Sequence, residues 1–190
     1  ESQRDGPHEV DTIGDNAFFI FGAIFSNRLC IDAVRGASVA ELFDSFAPLV
    51  AEAGHHPAWA AGGAAACLWT MSFDARLRDP SAGAIESLVQ ALGRPDTPER
   101  VLQPVMGVLA TLFSGDDGRR RDFLSHPAHL DLAVSLCTPG RMNAWAEDGT
   151  RECAVDLLVA VVGCLGWRGW FRARGACASL RRTTLPLRRV

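Results

Sequence analysis

Histidine, cysteine, aspartate and arginine are the residue types through which this chain of 190 residues could do chemistry, and their spacing decides how much they can do. His55 and His56 are adjacent, but no cysteine or carboxylate stands near them at a metal-ligand spacing, and Pro57 follows at once. The pair reads as a solvated turn. His126 and His129 sit three residues apart with Cys137 two helical turns further on, a zinc arrangement that lacks an obvious fourth ligand. A metal-dependent enzyme built on these histidines would betray itself by bound metal. Asp116-Asp117 lacks the alternating oxygen ligands of a calcium loop and reads as a polar turn.

Nucleophilic catalysis finds no better footing. No serine stands in a nucleophile-elbow context, and Gly93, Gly115 and Gly118 punctuate helices without forming a dinucleotide or P-loop pattern. The expectation is a chain that is not an enzyme, with no cofactor and no metal.

Arginine is more suggestive. All 19 basic residues are arginines, as expected of a codon-biased, GC-rich genome. All 22 acids lie at or before Asp156, alongside 12 arginines, whereas the remaining residues hold 7 arginines and no acid. In that last stretch Trp167, Trp170 and Phe171 interleave with Arg168, Arg172 and Arg174. Aromatic and arginine side chains are enriched at binding hot spots, and arginines among aromatics also suit RNA bases or anionic lipid headgroups. The blander alternative is a capping helix whose aromatics seal the end of the fold. Arg119, Arg120 and Arg121 form a second basic run, either a solvated face with its stems on the core or a contact patch for a partner.

Such residues need elements to position them. With 48% hydrophobic and 22% charged residues the chain is that of a folded domain. No apolar run reaches the roughly 18 residues of a membrane span. Six cysteines without a CxxC pair behave as small hydrophobes and suggest an intracellular, reducing compartment. Residues 1–14 are polar, carry Gly6, Pro7 and Gly14, and read as an extended arm without a targeting pattern.

From Asp15 onward the apolar spacing is helical, and strand signals are nearly absent. Helices are expected at about 15–26, 28–36, 38–53, 56–74, 80–92, 97–114, 118–125, 127–138, 147–165 and 172–182. Their starts are marked by the Ser38–Glu41 capping box, by Asp79-Pro80, by Thr97-Pro98 and by Ser125 before His126-Pro127. Gly54, Gly93, Gly115, Gly140 and Gly166 mark the stops.

Three stretches, Glu41–Asp74, Ala82–Ser114 and Pro127–Gly166, share one layout. Each is a helix, a short turn rich in Gly, Pro or Asp, and a longer helix ending in a small, apolar run. An incomplete copy closes near Ile24. Aligned on Ile24, Thr70, Thr111 and Cys164, the copies are 46, 41 and 53 residues apart, around the 40–47 residues of armadillo and HEAT repeats. The chain resembles an armadillo repeat protein: Gly118–Leu124, His129–Leu136 and Glu152–Leu165 are similar to its short first, second and long third helices. HEAT-like helix pairs are the structural alternative.

The resemblance implies an all-α fold, a right-handed α-solenoid of about three armadillo-like repeats over residues 15–166, plus a partial N-terminal repeat. A basic, aromatic cap or tail follows over 167–190. It also implies a groove along the third helices. Thr70, Thr111 and Cys164 stand where peptide-binding members carry asparagines, and Ala66, Gly107 and Ala160 stand one turn earlier. So small a lining suits a closely packed helix. The function expected is a non-catalytic protein–protein interaction or scaffold module, a subunit of a larger assembly. The alternative is an RNA-binding helical-repeat protein that uses the C-terminal arginines.

Overall fold

Apolar residues at helical spacing become helices along the whole described chain. The computed structural model describes residues 39–53, 58–75 and 77–163. Among them are eight helices and no strand: α1 Val39–Ala51, α2 Ala58–Ser72, α3 Ala82–Gly93, α4 Glu99–Ser114, α5 Asp117–Ser125, α6 Pro127–Leu136, α7 Pro139–Met142 and α8 Asp148–Val162. The chain is all-α in this part, and no helix here is long and apolar enough to cross a membrane. The expected helices at 15–26, 28–36 and 172–182 lie outside the described residues, as do the arm, the C-terminal segment, Ser38 and His55-His56.

The described residues fall into two compact units that part inside α4, the first ending at Leu109 and the second starting at Ala110. In the first, α1 packs on both α2 and α3. Phe43 and Val50 of α1, Leu68 and Met71 of α2, and Leu88 and Leu92 of α3 are essentially fully buried. Each such side chain is worth about 1.5–3 kcal/mol against leaving it in water.

Polar ties set the direction of the packing. The Ser81 amide, just before α3, donates to Asp44 Oδ1 at 3.0 Å. Beyond the other end of α3, Arg94 Nη1 donates to the Ala51 carbonyl at 3.1 Å, while Asp96 holds its Nε and Nη2. Asp44 precedes Ala51 in α1 just as Ser81 precedes Arg94 around α3, so the two helices run parallel.

α2 and α4 repeat that relation. The Arg100 stem lies over Gly62, and the Trp69 indole lies over Gly107. Both pairs are 38 residues apart in the chain, so these helices are parallel as well. A Cβ at Gly107 would sit 2.6 Å from Trp69 Cε2, which explains why that buried position carries no side chain.

In the second unit α6 packs against α5, α7 and α8. Ala133, Val134 and Leu158 form its buried centre, with Leu130, Cys137 and Val162 packed around them. Phe113, Phe123 and His129 stack in series, with successive ring centroids 4.8 Å apart. Arg151 organises the loop before α8: Nε donates to the Met142 carbonyl at 3.0 Å, Nη2 to the Trp145 carbonyl at 2.7 Å, and Nη1 to Asp148 Oδ1 at 2.7 Å. Trp145 is buried beside this clamp.

Several helix ends differ from the expected ones. α3 is capped by Ser81, whose Oγ accepts from the Ala84 amide at 3.1 Å, and not by Asp79-Pro80. The Thr97 hydroxyl faces backwards and donates to the Ala91 carbonyl at 2.7 Å, so it secures the end of α3 and not the start of α4. Ser125 likewise donates to the Asp122 carbonyl, and His126 precedes α6 without a side-chain capping bond. Pro139-Gly140 opens the short helix α7 where a stop was expected, because proline is well suited to a first helical turn.

Candidate interaction surface

The thiols are the first groups to test for reactivity. Burial pushes the Cys67 thiol up to about 11 and the Cys137 thiol up to about 12. Burial raises Cys153 too, helped by the carboxylates of Asp156 and Glu152. Near neutral pH all three are therefore protonated, whereas a nucleophile or metal ligand must be a thiolate. Cys137 spends its S–H on the Ala154 carbonyl at 3.2 Å.

The histidine pair is brought together, with ring centroids 4.9 Å apart. His129 Nδ1 donates to the Phe123 carbonyl at 3.2 Å, and its ring stacks on Phe123. Among the described residues no three of His, Cys, Asp and Glu come together in a way that could hold a metal ion.

The Arg119–Arg121 run folds back onto its own helix start. Asp116 is the N-cap of α5, its Oδ1 accepting from the amides of Gly118 at 2.9 Å and Arg119 at 3.0 Å. The Arg119 amide is the main reason its carboxyl is held below the usual carboxylate range, with the Gly118 amide and the guanidinium groups of Arg119 and Arg120 adding to it. Arg119 Nε lies 3.5 Å from Asp116, Arg120 pairs with Asp117, and Arg121 Nε donates to the Asp117 carbonyl at 3.2 Å. Arg120 also reaches Gly163 at the end of α8, and its buried Nε finds no hydrogen-bond partner. Sequence alone showed three adjacent cations; the structure shows each engaged within the unit.

α2 presents a different kind of surface. Its fifteen residues include no charge. Gly62, Ala66 and Thr70 follow one another at steps of four, so they lie on one helix face, and Phe73 comes three residues later in the turn that ends α2, its amide donating to the Thr70 carbonyl at 3.3 Å. Ala66 is exposed, Thr70 is half-buried with its hydroxyl donated to the Ala66 carbonyl at 3.0 Å, and Phe73 is 67% exposed. The Phe73 ring rests against Trp69 at a centroid distance of 6.2 Å. Arg100 is exposed alongside Gly62.

Of the residues singled out in the sequence, Thr70 thus sits on this face, and Thr111 is half-buried on the part of α4 that belongs to the second unit. Cys164, Trp167, Arg168, Trp170, Phe171, Arg172 and Arg174 lie outside the described residues. Gly107 takes a role that the groove pattern did not suggest, since the closely packed neighbour it admits is the chain's own Trp69. Ala66 had appeared only as a groove position, and Phe73 and Arg100 had not been singled out. The signal available for the α2 face was the absence of any charge from 58 to 72, which does not extend to Arg100.

No known protein family, curated protein or solved structure matches this chain.

Proposed function

We propose that the chain is a non-catalytic protein-binding or scaffold module, built as a short α-solenoid of armadillo-like repeats. The parallel pairs α1/α3 and α2/α4 support the repeat reading: each helix lies beside the one about 40 residues on, as stacked helix hairpins do. HEAT-like hairpins share that relation and remain the alternative repeat type.

The observation that carries the functional reading is the uncharged face of α2, with Phe73 67% exposed at its end. An isolated exposed apolar residue is ordinary, but an aromatic side chain continuing a charge-free helix face is the composition of an interface centre. The buried, protonated thiols point away from catalysis at those residues.

The test is gentle purification of tagged wild-type chain and Phe73→Glu from the native source, with mass spectrometry of everything retained in moderate salt. The expected result is a defined partner, either another protein or an untagged copy of the chain, that is retained by wild type and lost from the variant while the helical content is unchanged. Identical retention by both, or retention by neither, would sink the reading.

A further inference from the structure

The two ends of the α2 face are unlike each other. Near its start the Arg100 side chain crosses Gly62, with Cδ 3.6 Å from where a Cβ would stand. Arg100 is exposed and makes no ion pair with a described residue. At the far end stands the exposed ring of Phe73. Phe73 stands eleven positions after Gly62, one residue beyond the end of α2, which is about 16 Å along the axis. Between them the face offers Ala66 and Thr70 and no charge.

A cation at one end and an aromatic face at the other make this stripe complementary to itself. Rotation by half a turn about an axis through its middle, between Ala66 and Thr70, sets each end opposite the other end of a second copy. We propose that a second copy of this chain docks here, α2 antiparallel to α2, with Phe73 of each chain against the Arg100 guanidinium of the other. The proposal rests on α2 being the binding face and names the partner of that face.

The chemistry favours this occupant. A guanidinium is planar and weakly hydrated, so it stacks on an aromatic ring at low desolvation cost. Arg100 also meets the C-terminal end of the facing α2, where the helix dipole favours positive charge. Ala66 at the centre is small enough for the backbones to approach closely. Two-fold symmetry makes every contact twice, so one aromatic–guanidinium pair becomes two.

Sedimentation of the full chain over a wide concentration range tests it. Wild type is expected to follow a monomer–dimer equilibrium, and Phe73→Ala and Arg100→Ala are each expected to raise the dimer Kd by roughly 5- to 30-fold, from two exposed cation–π contacts. Mixing the two variants provides the decisive arm. Their heterodimer keeps one intact Phe73–Arg100 pair, so the mixture should associate more tightly than either variant alone. Both side chains are exposed, and circular dichroism of each variant checks that the fold is kept.

A wild-type chain that stays monomeric, variants that dimerise as wild type does, or a mixture no tighter than its components would each overturn the proposal. A monomeric wild type that still loses a foreign partner on Phe73→Glu overturns self-association alone and leaves the protein-binding reading standing.

Discussion

The two compact units hold themselves together by different means. In the first, long helices lie parallel in pairs and meet through apolar contact along their lengths, with polar ties from Asp44, Arg94 and Thr97 confined to the ends of α3, and so closely at one point that Trp69 replaces any side chain at Gly107. In the second, shorter helices are tied by side chains that reach backbone: Asp116 to the start of α5, His129 to Phe123, Cys137 to Ala154 and Arg151 to Met142 and Trp145. The second unit also bears two buried polar atoms without hydrogen-bond partners, Arg120 Nε and Thr150 Oγ1. Apolar stacking leaves the outer face of a helix unspecified, which is why α2 can show a bare face. Polar tying consumes the charged groups: Arg119 and Arg120 of α5 pair with the acids at their own helix start, and the exposed Arg121 bonds the Asp117 carbonyl.

This contrast can be broken from either side. The largest effect is expected at Gly107→Val, which forces the indole off α4 and should cost about 2–3 kcal/mol by overpacking. Trp69→Ala introduced with it should recover part of the loss in a thermal melt, and the absence of any recovery would show that the two residues do not act on each other.

Arg151→Met keeps the apolar stem and removes three hydrogen bonds at once. A loss of about 2 kcal/mol is expected, with faster amide exchange confined to residues 142–150. Uniform exchange across both units would mean that the clamp is not a local device.

The smallest effect belongs to Asp116. Replacing the cap by Ala should cost about 1 kcal/mol, whereas Asp116→Asn keeps the cap and removes its titration. The folded carboxyl lies below its ordinary value of 3.8. Its contribution is therefore complete above that value and is lost as the pH falls through the lower, folded value. Acid melts should show a wild-type slope in that range that the Asn variant lacks.

Much of this arrangement was legible in the sequence, and what was missed has a common cause. Helices α1 to α6 and α8 fall within a few residues of their expected places, because apolar spacing and Gly/Pro punctuation are local signals. The backward-facing hydroxyl of Thr97 and the triple grip of Arg151 were not legible. Apart from Asp148, their partners are backbone carbonyls, which every residue possesses and which leave no mark on composition. The seat of Trp69 on Gly107 was hidden for another reason: a glycine in a helix announces that something comes close, but not that it comes from 38 residues away. Thr70 was singled out because the spacing of the aligned stretches falls on it. Phe73 was not, because an exposed aromatic at a helix end looks the same in sequence as a buried one.

The parallel pairing in the first unit has a consequence for how the chain would come apart under load. The cross-helix ties described in it span 37, 38 and 43 residues and join helices two apart in the chain. If the proposed stacking of hairpins holds, pulling along the chain should open it one hairpin at a time, each rupture releasing about 40 residues, or about 140 Å of extended chain. The same short spans make the search for the folded state short, since each of these ties closes a loop of only about 40 residues.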